Sequence, residues 1–449
     1  MLRMSDSPPA ATPDAPGLAS RRAAVEALQA VLHQRRSLDQ VLDSETGIAG
    51  LRALPDRDRA FVHMLVAKTL RQLGSLRVLL ASLLERGLPK EAPLVEIVLL
   101  IGAVQILFLS VPDHAAVDTS VEIAREDRVA RHYVPLVNAV LRRIAREGKD
   151  RISAHDPLID SPPWLRERWI ENYGEAEAKQ IAAAHALEPP LDLSVKDDAP
   201  AWAARLQGLL LPTGTVRIAA HGPVPSLPGY DEGAWWVQDA AASLPAKLFG
   251  KVAGLKVADL CAAPGGKTAQ LVAAGADVVA VDRSEPRLAR LKQNMQRLRL
   301  ACETVTADAG EWQGGPFDAV LLDAPCTATG TIRRNPDLPW NRQPGDLPKL
   351  AGLQSRLLDR AAMLVKPGGL LVYSTCSLEP EECERKIEAL LGRNPALQRV
   401  PVVSSEIGGI DSFVSARGDL RTFPFYLPNQ NERLSGCDGF YAARLRRLA

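Results

Sequence analysis

The chain has 449 residues, 46% of them hydrophobic and 24% charged, which suits two or three globular domains with sizeable cores. A formal net charge of +1 excludes a globally polycationic protein, so any nucleic-acid surface must come from local segregation of charge. Six cysteines, none before Cys261 and none in a Cys-x-x-Cys pair, argue against a disulfide framework or structural zinc site; no metal is expected, and the thiols are expected to be reduced and cytoplasmic.

The first 19 residues are rich in Ala, Pro, Ser and Asp and read as a disordered leader, because they lack the basic-then-apolar pattern of an export signal. From residue 20 to 150, apolar residues recur at helical spacing over 23–32, 61–70, 76–84, 97–109, 117–123 and 136–144, with breaks at Pro55, Gly87, Pro89 and Pro112. This predicts an all-α bundle. Its most membrane-like stretch, 97–111, holds Gln105 and stops at Pro112, too short to span a bilayer; a buried helix is expected and no membrane partner. The bundle carries 19 Lys/Arg against 16 Asp/Glu between residues 21 and 150, with Arg142, Arg143 and Arg146 close together on the last helix. A solvated face explains that bias nearly as well as an RNA surface.

Residues 150–163 are polar and contain proline, a plausible linker. A helix over 164–187 and short strands with Pro and Gly predict a small α+β module over 163–233. Beyond it, over 234–449, short apolar runs at 257–260, 278–281, 303–306, 319–322 and 370–373 alternate with helical segments at 268–274, 285–300 and 347–365. This order specifies a Rossmann-like, doubly wound parallel α/β sheet, and runs at 422–426 and 439–445 suggest an antiparallel edge.

The segment from Asp259 to Thr268, Asp-Leu-Cys-Ala-Ala-Pro-Gly-Gly-Lys-Thr, follows the first of these strands and opens a helix. Its glycines let a ligand approach the backbone, and the helix N-terminus offers unpaired N–H donors. An amino-acid carboxylate suits that position, with Lys267 adding charge. The sequence has neither the phosphate loop G-x-x-x-x-G-K-[ST] nor G-x-G-x-x-G here, which disfavours a nicotinamide oxidoreductase. Asp282 ends the second strand, where it can accept ribose hydroxyls, and Asp308 follows the third, where it can meet an adenine amino group. An Asp at a strand end is most often a turn former; three acidic strand ends in succession are a stronger signal.

The fourth strand runs into Asp323-Ala-Pro-Cys326 and the fifth into Ser-Thr-Cys376. Adjacent strands would bring both thiols to one rim. A lone cysteine is usually a small buried hydrophobe; two at neighbouring strand ends point to chemistry. All seven histidines lie at or before His221, so a histidine triad within the C-terminal half is excluded, and the residues leave the choice between Cys326 and Cys376 open. Thiolate addition at C6 of a cytosine would make C5 nucleophilic towards a sulfonium methyl, and Asp323 is suited to hydrogen bonding at N3.

The segments CAAPGGKT, DAPCTATGTIRRNPD and YSTCS, with GAWWVQDAAA before and DGFYAARL after, resemble the RNA 5-methylcytosine methyltransferase family. Within it, the chain is similar to bacterial 16S rRNA enzymes of the Fmu/Sun type, which carry a NusB-like helical N-terminal domain; LLIGAVQILFLSVPDHAAVDTSVEIAR and VPLVNAVLRRI carry that second likeness. The resemblance implies a class I methyltransferase sheet and S-adenosylmethionine as cofactor. It implies Cys261, Ala262, Ala263, Pro264, Gly265, Gly266 and Lys267 as the cofactor loop, and Asp282, Asp308 and Asp323 as cofactor contacts. Cys376 would be the nucleophile and Cys326 would serve product release, with Asp323 also catalytic. It implies RNA as partner, 16S rRNA free or in an early assembly particle, with a NusB-like RNA-binding domain over 20–150 and a monomer. One departure stands out. Where family members often carry Arg-x-Asn after the first strand of the small module, this chain has Leu191-Asp-Leu-Ser194-Val-Lys196, which bears on how that module grips RNA.

Cys302 and Cys437 are expected to be structural, Cys261 a packing residue, and Cys383 unreactive because carboxylates flank it in Glu381-Glu-Cys-Glu384. Arg333 and Arg334 could meet phosphates or form a solvated pair. Trp235 and Trp236 could cover a ligand or pack a core. Two alternatives to methylation of 16S rRNA are the same chemistry on tRNA or another rRNA site, and a non-catalytic RNA-binding ribosome assembly factor; the intact cysteine pair argues against the second.

Overall fold

The structure, a computed structural model, describes residues 17–152, 156–219 and 222–448. The leader expected over 1–19 lies outside the described residues as far as residue 16, and a helix already begins at Leu18. Contacts divide the chain into two compact units, up to Pro162 and from Pro163 onwards.

The first unit is helical, with main helices Leu18–Gln34, Asp56–Arg71, Leu73–Leu83, Pro93–Phe108, Asp113–Glu126 and Val134–Ile152. Its centre is Pro93–Phe108, buried on nearly every side from Val95 to Ile106. A helix that is apolar all round must be enclosed by others or by lipid, and here others enclose it. Gln105 is tolerated there because it is satisfied: its amide donates to Ile101 O at 3.0 Å and its carbonyl accepts from Arg21 Nε at 2.7 Å. Among the described residues no helix is long and apolar enough to cross a membrane. The segment read as a linker is pinned to this unit, since Asp160 accepts from the N–H and hydroxyl of Ser75, each at 2.8 Å.

In the second unit the helix expected over 164–187 is two, Pro163–Tyr173 and Glu175–His185, broken at Gly174 with φ 86°. A small antiparallel sheet follows, from β1 (Leu191–Val195), β2 (Leu209–Leu210), β3 (Val216–Ile218) and β4 (Trp235–Val237), in the order β2-β3-β1-β4. It reaches beyond the expected limit at 233 because β4 pairs with β1, Ser194 opposite Trp236.

The large sheet contains β5 (Lys256–Leu260), β6 (Asp277–Asp282), β7 (Glu303–Thr306), β8 (Phe317–Asp323), β9 (Val365–Thr375), β10 (Leu397–Arg399), β11 (Leu420–Thr422) and β12 (Phe440–Arg447). Its order is β10-β12-β9-β8-β5-β6-β7, with β11 on β12. The pairs among β5 to β9 are parallel, and β12 returns antiparallel to β9, as the terminal apolar runs predict. Helices Gly266–Ala273, Glu285–Arg297 and Asp346–Leu364 make the crossovers. Because these strands are all parallel, the carboxyl ends of β5, β6, β7, β8 and β9 share one rim.

A buried ion pair inside the small sheet ties it to the neighbouring loops. Arg217 is fully buried and forms a bidentate pair with Asp192, both bonds 2.7 Å. Asp192 also accepts from Ala240 N at 3.0 Å, and Arg217 donates to Leu434 O at 2.9 Å.

Candidate active site

Strands β8 and β9 lie side by side with Asp323 opposite Ser374. Past their ends the loops stay in register: Ala324 N donates to Ser374 O and Gly330 N to Cys376 O, each at 2.9 Å. This brings the Cys326 and Cys376 sulfurs to 3.5 Å, both partly exposed and unoxidised. The hydrogen bond to Cys376, then burial, then the negative charge of Cys376 and Glu382 hold the Cys326 thiol well above its ordinary range.

Asp323 stands at the same rim, about one-third exposed. Its Oδ2 accepts from Lys267 Nζ at 2.7 Å and its Oδ1 from Ser374 Oγ at 2.9 Å. Lys267, on the first turn of helix Gly266–Ala273, therefore ties the glycine loop to the Asp-Pro-Cys strand, and its ammonium also sits 4.9 Å from the Phe440 ring centre. The cation expected to add charge beside a ligand carboxylate is engaged by Asp323 in the fold.

The loop Cys261 to Lys267 curls over the ends of β5 and β6. Cys261 has φ 61° and Gly265 φ 101°; a Cβ at Gly265 would lie 2.8 Å from Leu291 Cγ, so glycine is required for the helix to seat. Burial, reinforced by Asp282, pushes the Cys261 thiol up to about 12, which makes it a packing group. Asp282 is buried and accepts from Ser284 N at 2.9 Å and Ala263 N at 3.2 Å, with Arg287 Nη1 at 3.5 Å. Asp308 accepts from Gly310 N at 2.8 Å and forms a two-pronged pair with Arg356 at 3.0 and 3.3 Å, which holds its carboxyl below the usual range. Asp282, Asp308, Asp323 and the glycine loop thus meet at one rim. Asp259, at the end of β5, joins them from below: it accepts from the Thr268 hydroxyl at 2.7 Å, its other oxygen is buried without a partner, and burial raises it to about 7.

The donor set fits S-adenosylmethionine. Carboxylates follow the second and third strands where a ribose and an adenine amino group would lie, and a glycine turn opens onto the N-terminus of an eight-residue helix.

Several residues that shape this rim were not legible as such. Glu379, and Glu382 in the stretch read only as an acidic helix start, are fully buried. Glu379 accepts from Arg168 Nε at 2.6 Å and Trp169 Nε1 at 3.3 Å, so helix Pro163–Tyr173 braces the turn after Cys376. Arg421 donates to the carbonyls of Ser377 and Leu378 at 3.0 and 2.8 Å from the other side. Cys383 is inert chiefly because it is buried, with Glu384 and Glu382 adding to the effect. Arg333 is not solvated, and Arg334, though exposed, is ion-paired. Arg333 is buried 3.5 Å from Asp239 and donates to Ser435 O at 3.1 Å, while Arg334 makes a two-pronged pair with buried Asp438. Trp235 and Trp236 are core residues whose indoles donate to Pro228 O at 2.9 Å and Gln238 Oε1 at 2.8 Å. The Ser194–Lys196 departure is structural in part, as the Lys196 ammonium donates to Leu298 O.

Comparison with known proteins agrees with this geometry. Residues 251–446 match the 16S rRNA methyltransferase RsmB/F family, and residues 18–146 match the NusB family. The chain is 35% identical over 454 residues to the ribosomal RNA small subunit methyltransferase B of Pseudomonas putida, covering 96% of this chain and 98% of that one. It is 37% identical to the protein of the same description from Xanthomonas campestris, covering 97% and 99%. Among solved structures, PH0851 shares the fold with a TM-score of 0.74 at 22% identity, over 97% of this chain and 99% of that one. A Rossmann-like sheet with paired cysteines at two strand ends, a glycine loop beside three carboxylates and a NusB-family helical region are thus found together in one chain, which belongs to the RsmB/F family of 16S rRNA methyltransferases.

Proposed function

We propose that this enzyme transfers a methyl group from S-adenosylmethionine to C5 of a cytosine in 16S rRNA, through a covalent adduct between Cys376 and C6 of the base. The observation that carries this reading is the pair of thiols 3.5 Å apart, one at the end of each of two adjacent strands, with Asp323 at the same rim. The Cys376 thiolate adds to C6 and pushes electron density to C5, N3 takes a proton from solvent, and the Asp323 carboxylate meets the N3 edge and accepts a hydrogen bond from that N–H. When bound, S-adenosylmethionine supplies the electrophilic methyl. Asp282, Asp308 and the loop Cys261 to Lys267 hold the cofactor, with Asp323 bordering both sites. Transfer of the C5 proton to water, with return of the N3 proton to solvent, then restores the C5–C6 double bond and expels the Cys376 thiolate, to which the Cys326 S–H hydrogen-bonds as it leaves. The base must be unstacked to expose C6.

The helical unit is assigned to RNA binding. His114, Arg142 and Arg146 line a groove between helices Asp113–Glu126 and Val134–Ile152, and the arginines there are exposed. The protein is taken to act as a monomer in the cytoplasm, on free 16S rRNA or an early assembly particle. Cys376→Ala is expected to abolish methylation and covalent capture of RNA while leaving S-adenosylmethionine affinity unchanged; turnover by that variant would refute the assignment. Bisulfite sequencing of rRNA and tRNA from a deletion strain and its parent identifies the target, and loss of a methylcytosine outside 16S rRNA would overturn the choice of substrate.

A further inference from the structure

We propose that Glu382 is the positioning residue that makes the two thiols unequal, by gripping the peptide N–H that follows Cys326 and the hydroxyls that join the two cysteine loops. The inference rests on the reading of Cys376 as nucleophile and Cys326 as the thiol of release. Glu382 Oε1 accepts from Thr327 N and from Gln354 Nε2, each at 3.0 Å. Its Oε2 accepts from the Thr327 hydroxyl, whose oxygen lies 3.1 Å from Ser377 Oγ. Donors therefore face both oxygens, which favours the ionised carboxylate, while burial pushes the carboxyl above its usual range. These partners are a peptide, a hydroxyl and an amide, all neutral, so they fix the carboxylate without cancelling its charge. Its own backbone is anchored too: Tyr373 OH donates to Glu382 O at 2.7 Å, and Glu382 N donates to Glu379 O at 3.0 Å.

Two consequences follow from that placement. Thr327 immediately follows Cys326 and Ser377 immediately follows Cys376, so one side chain sets the spacing of the two sulfurs through residues adjacent to each. A buried negative charge one residue from Cys326 also disfavours a second negative charge there; the Cys326 thiol is raised most by its hydrogen bond to Cys376 and by burial, and Glu382 raises it further. Cys326 is kept as S–H, the form that can hydrogen-bond to a departing thiolate.

The test uses a readout that needs no turnover. In a Cys376→Ala background, the pH dependence of iodoacetamide alkylation at Cys326 is followed by peptide-resolved mass spectrometry, with and without Glu382→Gln. Removing the charge should raise alkylation at a fixed pH below the thiol pKa by about tenfold, the thiolate gain for one pKa unit, whereas identical pH profiles would overturn the proposal. In the otherwise native enzyme, Glu382→Gln should lower kcat at least ~10-fold with S-adenosylmethionine affinity unchanged; retained kcat would also overturn it. If Glu382→Gln does not fold, Glu382→Asp carries the test. It keeps the charge but withdraws from Thr327, so kcat should fall while the alkylation profile stays, and full kcat would count against the positioning role. Should Cys376→Ala itself retain turnover, the nucleophile assignment fails, and the alkylation result still reports on Glu382.

Discussion

Gly330→Ala offers a direct probe of how the cysteine loops are held. Gly330 donates its N–H to Cys376 O at 2.9 Å and accepts from Gly439 N at 2.8 Å, so it links the Cys326 loop, the Cys376 loop and the start of β12. A Cβ added there would lie 2.0 Å from Gly439 O, whereas real Cβ contacts essentially never fall below 3.0 Å. The obstructing atoms are backbone, so the two segments must part by about 1 Å, enough to cost a rate of about 100-fold or ~2.7 kcal/mol in the barrier. Gly330 is not in the left-handed region, and overpacking strain of about 1–3 kcal/mol leaves a domain of this size folded. The expected result is a kcat reduced about 100-fold with S-adenosylmethionine affinity within twofold of wild type, read by methyl transfer to saturating RNA and by calorimetric titration of the cofactor. A Gly330→Ala enzyme with wild-type kcat would show that the spacing of the loops does not limit the reaction.

Cys326→Ala should accumulate a protein–RNA adduct that survives denaturing electrophoresis, because the thiol of release is gone; no adduct with competent RNA would remove that role. Arg217→Met should destabilise the second unit by about 3–5 kcal/mol in urea unfolding, since it leaves Asp192 buried without its cation; a loss below ~1 kcal/mol would mean the pair is dispensable. Asp259 is protonated more readily in the folded state, at about 7, than in the unfolded chain. Its burial is therefore free of penalty below about pH 4 and increasingly costly as pH rises towards 7. Asp259→Asn should accordingly gain stability relative to wild type between pH 5 and pH 8, and equal differences at the two pH values would contradict the burial argument.

Much of the site was readable in one dimension because it is built from local geometry. A glycine turn between a strand and a helix, an acid at a strand end and a cysteine just past one are set by residues a few positions apart, and parallel strand order carries them to one rim. The resemblance to a family then ranked Cys376 over Cys326, which periodicity alone left open. Residues whose role depends on distant partners were misread or passed over. Glu379 and Glu382 sit among charges and look solvated, yet Arg168, Trp169, Thr327 and Gln354 bury them. Arg333 and Arg334 read in sequence equally as phosphate contacts or as a solvated pair, and neither reading contains Asp239 and Asp438, about 100 residues away on either side, with which they pair.

The chain by itself determined most of the helices and of the strands in the large sheet, its parallel character with an antiparallel edge, and the identity of the groups at the strand ends, because hydrophobic period and turn chemistry act within a few residues. Tertiary structure alone decided which charges are buried and paired, that Lys267 belongs to Asp323, and that the two sulfurs come within 3.5 Å. Burial and ion pairing are properties of segments far apart in sequence, and their energies exist only once the sheet has brought those segments together.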